Sequence, residues 1–362
     1  MTSSALAIAP AADTLPTAST RRRAVLHGLL DDSLVHTPEY SAGMASHLPM
    51  ALAALDGLGA DEAQMRRFYA SYARRLPRGA SADGREVAPA PVVDGDWQSL
   101  RGRIEAFDAL RLFFAQAIAR RGADAVLRDA VPALADGSAG AAFHGPIRVA
   151  HAVESVHAGE LAAALAYWAA RWVPLPAPRP AMTRIAGAGA WLDAIDARRR
   201  EFDAEWRASA PLISERMQQA ARTPPYIELA GALHVDGVDR DALLLDLARS
   251  AAARYAATGN FTVLHMATAS RALRVLAAWL PARADALAPV LHAVAAADLA
   301  ARATPLQRDV AEPLPGWADV RRLACASDDD HVIKLVHAMA VQAADAPDDD
   351  AWLAAARTAV LR

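Results

Sequence analysis

The sequence predicts an all-α protein, a single large multi-helix domain with little or no sheet. Three observations point there. The chain is 54% hydrophobic but only 6% aromatic. Much of that apolar content is alanine, the best helix former, whereas strands favour β-branched and aromatic residues. Apolar residues also recur at helical spacing along most of the chain. Strand signals are weak by comparison: Tyr226-Ile227-Glu228-Leu229 is the best short candidate, as a strand or an extended connector.

The elements follow in order. The first 20 residues are rich in Ala, Thr, Ser and Pro, which predicts a mobile tail over 1–22. The apolar residues after Arg21-Arg22-Arg23 are soon interrupted by Asp31-Asp32, so neither a signal peptide nor a membrane span is expected. Helices are expected near 39–57, 61–75, 97–121, 141–172, 188–222, 239–257, 260–280, 284–302, 316–325, 329–344 and 348–361. Ser46 is a plausible N-cap with Pro49 in a first turn. Gly259-Asn260 opens the 260–280 helix, and the acidic run Asp328–Asp330 opens the next to last.

Pro-rich breaks at 76–92, Val173–Met182 and 304–315 interrupt the helices without separating regions of different composition. One domain over 23–362 is therefore preferred to two. No fixed-period repeat stands out, against a regular solenoid. A formal charge of −3 and a pI near 6.4 give no reason to expect nucleic acid or an anionic membrane as partner. The one cysteine, Cys325, cannot form an internal disulfide and has no zinc or iron–sulfur spacing. A cytoplasmic location is the default.

Common catalytic signatures are missing. There is no Gly-x-Ser-x-Gly elbow, phosphate-binding P-loop, Gly-x-Gly-x-x-Gly fingerprint or His-Glu-x-x-His motif. What stands out is the only lysine, Lys334, flanked by His331 and His337 in a chain otherwise rich in arginine. A neutral lysine takes up CO2 to give a carbamate, an anionic oxygen ligand, and burial favours the neutral form. The alternative is a snorkelling surface lysine.

Eleven histidines are present, and local context favours a few. His47 falls at a helix start, where the dipole favours neutral, metal-binding imidazole. His144 lies among small residues in Ala141-Ala142-Phe143-His144-Gly145-Pro146 at another helix entry, with Arg148 one turn on, better read as a carboxylate partner than as an anchor for an anionic substrate. His265 sits in an apolar segment, so a buried neutral imidazole with one hydrogen bond is its simplest role. Near Lys334 the choice is between two flanks. At ~3.6 residues per turn, His331 and Lys334 lie about 60° apart, and His331 and His337 about 120° apart. The first turn suits His331, with His337 in reserve. His27, His36, His234 and His292 carry less. A rival metal motif is Glu154-x-x-His157, as in di-iron bundles, but no second copy exists. Both residues are expected at the surface.

These segments resemble the questin oxidase family, whose fungal members cleave anthraquinone rings. The resemblance runs from about residue 26 to 345. It rests on Glu39-Tyr40-Ser41 through Ser46-His47-Leu48-Pro49-Met50, on Phe143-His144-Gly145-Pro146-Ile147-Arg148 with Glu160-Leu161-Ala162, on Thr262-Val263-Leu264-His265-Met266, and on Asp330-His331-Val332-Ile333-Lys334. Pro146 and His151 depart from the bulkier aliphatic and the aromatic residue expected there, which bears on the substrate pocket.

The resemblance implies a helical fold with mononuclear non-haem iron, its ligands being His47, His144, His265, His331 and a carboxylated Lys334. It implies an Fe(II)- and O2-dependent oxygenase performing oxidative C–C cleavage or Baeyer–Villiger-like oxidation. The expected substrate is a small aromatic or polyketide-like metabolite. If a reductant is needed, NADPH would act as an external donor. Competing readings are a di-iron helical oxygenase and a non-catalytic helical scaffold.

Overall fold

The computed structural model describes residues 18–41, 43–79, 96–307 and 314–362. In these residues, helix α1 (Ala18–Ser33) leads into a small antiparallel pair, β1 (Glu39–Tyr40) and β2 (Met44–Ala45). Then come α2 (Leu48–Leu58), α3 (Glu62–Ala73), α4 (Phe107–Arg121), α5 (Ala123–Leu134), α6 (His144–Ser155) and α7 (Ala158–Ala170). The second half holds α8 (Ala188–Phe202), α9 (Ile213–Ala220), α10 (Pro224–Leu229), α11 (Arg240–Thr258) and α12 (Phe261–Leu276). It closes with α13 (Ala288–Ala301), α14 (Trp317–Ala326), α15 (Asp330–Asp345) and α16 (Asp350–Val360). The fold is all-α, as the alanine-rich periodicity predicts.

Four of these helices position the site. α2 packs on α6, α6 on α12, α12 on α15, and α15 back on α2, which closes a ring. Composition explains the close approach. Leu48, Met50, Leu52 and Leu55 of α2 are fully buried, and alanines between them leave room for neighbouring backbones. Burying each large side chain contributes about 1.5–3 kcal/mol. Gly145 of α6 lies against Trp168 of α7, where an added Cβ would stand 2.6 Å from the indole ring. Glycine at this position therefore lets the two helices pack.

Several boundaries differ from the sequence reading, each for a local reason. α1 begins at Ala18, so residues 18–22 of the expected tail are helical; residues 1–17 lie outside the described residues. The helix expected over 39–57 starts with the hairpin instead, and His47, not Ser46, is the N-cap of α2. The single helix expected over 141–172 is two, α6 and α7. Val156 adopts a left-handed φ of 52°, and the His157 imidazole caps α7 by accepting the Glu160 N–H at 3.0 Å. Histidine is an uncommon cap, so the break carried no conventional signal.

Helix α5 was not foreseen because Pro132 sits inside it. Residues 226–229, the best strand candidate, are helical. Pro224 occupies the first position of α10, where its missing N–H costs nothing. The 188–222 helix splits into α8 and α9. The 173–182 break is free of helix, while residues 80–92 and 308–313 of the other two breaks lie outside the described residues. One more correction concerns membrane-length spans: Ala284–Ala301 is long and apolar enough to count as one. Two thirds of it is buried inside the fold (67%), as in a core helix.

Candidate metal centre

The ring of α2, α6, α12 and α15 brings His47, His144, His265 and His331 to one point, one from each helix or its cap. Their imidazoles form a closed circuit. Ring centroids are 4.5 Å apart for His47 and His144, 5.0 Å for His144 and His265, 5.5 Å for His265 and His331, and 4.6 Å for His331 and His47. Lys334 lies one turn along α15 from His331 and is 2% exposed. Its charge disfavours protonation of His47, His144 and His265.

In each imidazole Nδ1 is engaged by the protein. His144 Nδ1–H donates to the Ala141 carbonyl and His265 Nδ1–H to the Phe261 carbonyl, the latter at 2.8 Å. His47 Nδ1 contacts Asp330 Oδ2, and His331 Nδ1 lies 3.2 Å from the same oxygen. A tied Nδ1 fixes the tautomer and leaves Nε2 as the lone-pair donor, the arrangement found around protein-bound metals. The Nε2 atoms of His144 and His331 are in fact buried without a hydrogen-bond partner among the described residues. Buried polar atoms without partners are uncommon in native proteins and call for an explanation. A metal ion between the rings would supply it, so the residues fit the group.

Local backbone serves this geometry. Ala141, Ala142 and Phe143 all have left-handed φ values of 46°, 53° and 67°. Such conformations in non-glycine residues are strained and persist only when the surroundings impose them. The run turns the Ala141 carbonyl toward His144 at the mouth of α6. Behind it, Arg148 of α6 and Glu160 of α7 form a buried bidentate pair at 2.6 and 2.9 Å. Arg148 is thus a carboxylate partner, as the sequence favoured. On the other side, the His47 backbone N–H donates to the Tyr72 hydroxyl at 3.1 Å. Glu39 accepts from Tyr167 at 3.0 Å and from Arg171 at 2.6 Å, which anchors the hairpin before α2.

The electrostatics keep the His47, His144 and His265 rings neutral. Burial, reinforced by the Lys334 charge and partly offset by Asp330, drives His47 down to about 3. Burial and the neighbouring cationic groups push His144 and His265 well below the usual imidazole range. Burial likewise lowers Lys334 to about 8, against the pull of Asp330 and Asp329. Its Nζ is 3.8 Å from Asp330 Oδ2, too far for a firm hydrogen bond. For Asp330, burial alone would raise the carboxyl. His47, His331 and Lys334 outweigh it and hold the group well below the usual carboxylate range.

Two residues of this site were not singled out in the sequence. Asp330 was read as part of a helix-start run and of the matching segment before Lys334, without a role of its own, yet it joins His47, His331 and Lys334. Its spacing of four from Lys334 was the available signal. Phe261 was read as one more apolar residue of α12. Its ring lies 4.9 Å from that of His265 and 4.6 Å from that of His331, and the residue is 51% exposed. It therefore marks the solvent side of the cluster.

His337 is placed elsewhere. Its ring packs at 5.4 Å from His151 of α6, and Glu154 Oε2 lies 3.8 Å from His151 Nδ1. Glu154 is ion-paired with Arg271 of α12, so that group already holds a buried cation. The rival Glu154/His157 pair does not converge. His157 is buried rather than at the surface, one ring nitrogen caps α7, and the other lies 3.1 Å from Asp31.

No match was found among curated proteins. A family profile described as questin oxidase-like matches residues 44–339, a stretch that contains His47, His144, His265, His331 and Lys334. On that match the chain belongs to the questin oxidase-like family.

Proposed function

We propose that this protein is an Fe(II)- and O2-dependent oxygenase whose metal is held by His47, His144, His265, His331 and a carbamate on Lys334. Family membership implies an oxidoreductase acting on a small molecule. The observation that carries the metal reading is the four-imidazole circuit, with every Nδ1 engaged and a buried lysine beside it. A set of neutral imidazoles alone suits several divalent ions. Adding one anionic oxygen favours iron in its higher oxidation states. Iron bound there would supply electrons to O2 and polarise a substrate oxygen.

The chain's own residues have distinct tasks. Asp330 and the Ala141 and Phe261 carbonyls hold the rings in one tautomer. Burial of the cluster excludes bulk water and keeps the imidazoles of His47, His144 and His265 unprotonated. The exposed ring of Phe261 offers a flat apolar face beside His265 and His331. An aromatic polyketide-like substrate would stack there by offset contact, with a phenol or enol oxygen turned toward the histidines. Oxidative C–C cleavage or Baeyer–Villiger-like oxidation is the proposed reaction class. NADPH, if required, would act as an external electron donor.

The test is metal analysis of the purified protein. About one iron per chain is expected, with sharp loss in His47→Ala, His144→Ala and His265→Ala. Metal should also raise the melting temperature, since it binds only the folded arrangement of four distant segments. Full occupancy in all three variants would overturn the reading.

A further inference from the structure

A second site lies away from the histidine cluster, in a cleft of about 380 Å³ between α11, α12 and α15. Its lining includes Arg240, Asp241, Arg271, Arg274, Gln342 and Asp345. Most of these charges are matched. Arg240 Nε pairs with Asp241 at 2.9 Å, and its Nη1 donates to the Ala277 carbonyl at 2.8 Å. Arg274 pairs with Asp345 at 2.9 Å and donates to Gln342 Oε1.

Arg271 is different. It is 2% exposed, and its one carboxylate partner, Glu154, lies outside the cleft lining. Among the described residues its Nε and Nη1 are buried without an acceptor. The Gln342 amide nitrogen is buried without one as well, in a side chain whose oxygen is already taken by Arg274. Two buried side chains that line one cleft thus have donors to spare. Leaving such buried donors unmet is costly, more so where the group is charged. The acidic groups of the lining are taken by Arg240 and Arg274 and Glu154 meets only one edge of Arg271, so no acidic group of the cleft is left for its Nε and Nη1.

We infer that this cleft binds an oxyanion-bearing ligand, a carboxylate or phosphate, received by the Arg271 guanidinium and the Gln342 amide. The volume suits a small-molecule ligand. A guanidinium edge matches the paired oxygens of either anion. The proposal stands independently of the metal, because none of the cleft residues belongs to the histidine cluster.

The test uses the full chain, with inorganic phosphate and acetate titrated separately by calorimetry and thermal shift at fixed ionic strength, with chloride as control. One of the two oxyanions should bind and raise the melting temperature; which one gives the larger shift identifies the ligand chemistry. Arg271→Gln should weaken binding by about tenfold or more, as expected for losing a charged hydrogen-bond donor. Because Arg271→Gln also strands Glu154, its ion-pair partner, Ala278→Trp provides a second arm. Ala278 is an exposed residue of the cleft wall, and an indole there should block the cleft while iron content stays at the wild-type level. Binding of neither oxyanion, or binding that survives Ala278→Trp unchanged, overturns the inference.

Discussion

His47 and Asp330 are 283 residues apart in sequence and in direct contact, Nδ1 against Oδ2. The same carboxylate reaches His331 at 3.2 Å and Lys334 at 3.8 Å. One acidic side chain at the start of α15 therefore ties the cap of α2 to the last two members of the cluster. Carboxylates in this position orient a ligating histidine and increase its basicity, and their loss typically costs 10–100-fold in metal affinity.

Asp330→Asn should therefore lower iron affinity by about 10–100-fold, measured by competition with a chelator, without removing any proposed ligand. An amide keeps an acceptor oxygen but not the charge. Unchanged affinity would mean that the contact is incidental to the metal.

The two flanks of Lys334 separate in the same way. His331 faces His47 and His265, whereas His337 faces His151 and, in the space beside them, Arg271. His331→Ala should reduce iron content far more than His337→Ala. The reverse ranking would move the site nearly two turns along α15, at ~3.6 residues per turn.

The sequence was most legible where periodicity and chemistry coincided. Alanine-rich helical spacing gave the fold class, and the lone lysine drew attention to α15. What it could not show was convergence. That four helices close into a ring is a matter of packing between segments hundreds of residues apart, and nothing local in Asp330 announces a partner at His47. The strained Ala141–Phe143 run was equally hidden, because alanine and phenylalanine do not ordinarily favour left-handed backbone. The break at 156–157 was missed because a histidine took the cap that serine or aspartate usually fills.

Phe261 leads to a prediction about the substrate. Phe261→Ala should leave iron content unchanged and weaken binding of a hydroxyanthraquinone probe several-fold, in line with about 0.5–1.5 kcal/mol for one aromatic pair. The measurement is an absorbance titration. Equal affinity in the two proteins would remove Phe261 from the substrate face.

Asp298 of α13 offers a pH test away from the site. Burial, opposed by Arg254 and aided by Asp196 and Asp193, raises its carboxyl to about 6. Because the folded state holds this proton more tightly than the unfolded chain, the contribution to stability is present at low pH. It is lost as pH rises from the ordinary carboxylate value through about 6. The cost at neutral pH is about 3 kcal/mol by the usual conversion of a pKa shift into free energy. Asp298→Asn cannot ionise, so its melting temperature relative to wild type should climb between about pH 4 and 7 and level off above. A difference that stays flat across that range, or climbs toward acid, contradicts the assignment.

Lys334 gives the sharpest test of the metal reading. It is the chain's one lysine, 2% exposed, with no firm hydrogen bond to Asp330 and with burial already weakening its charge. A carbamate there would turn a buried cation into an anion facing three neutral imidazoles, and a dication between them would balance it. Lys334→Arg preserves positive charge and reach but cannot form a carbamate, so it should lose iron and activity together. Lys334→Glu, with a shorter carboxylate, should keep part of the iron and turn over poorly. When metal is stripped and restored, bicarbonate should speed the return of activity. Protein reloaded with carbon-13-labelled bicarbonate should show a carbamate signal in wild type that is missing in Lys334→Arg. An unmodified amine in iron-loaded protein, together with full activity in Lys334→Arg, would show that the lysine is a structural residue and that the iron is held by histidine alone.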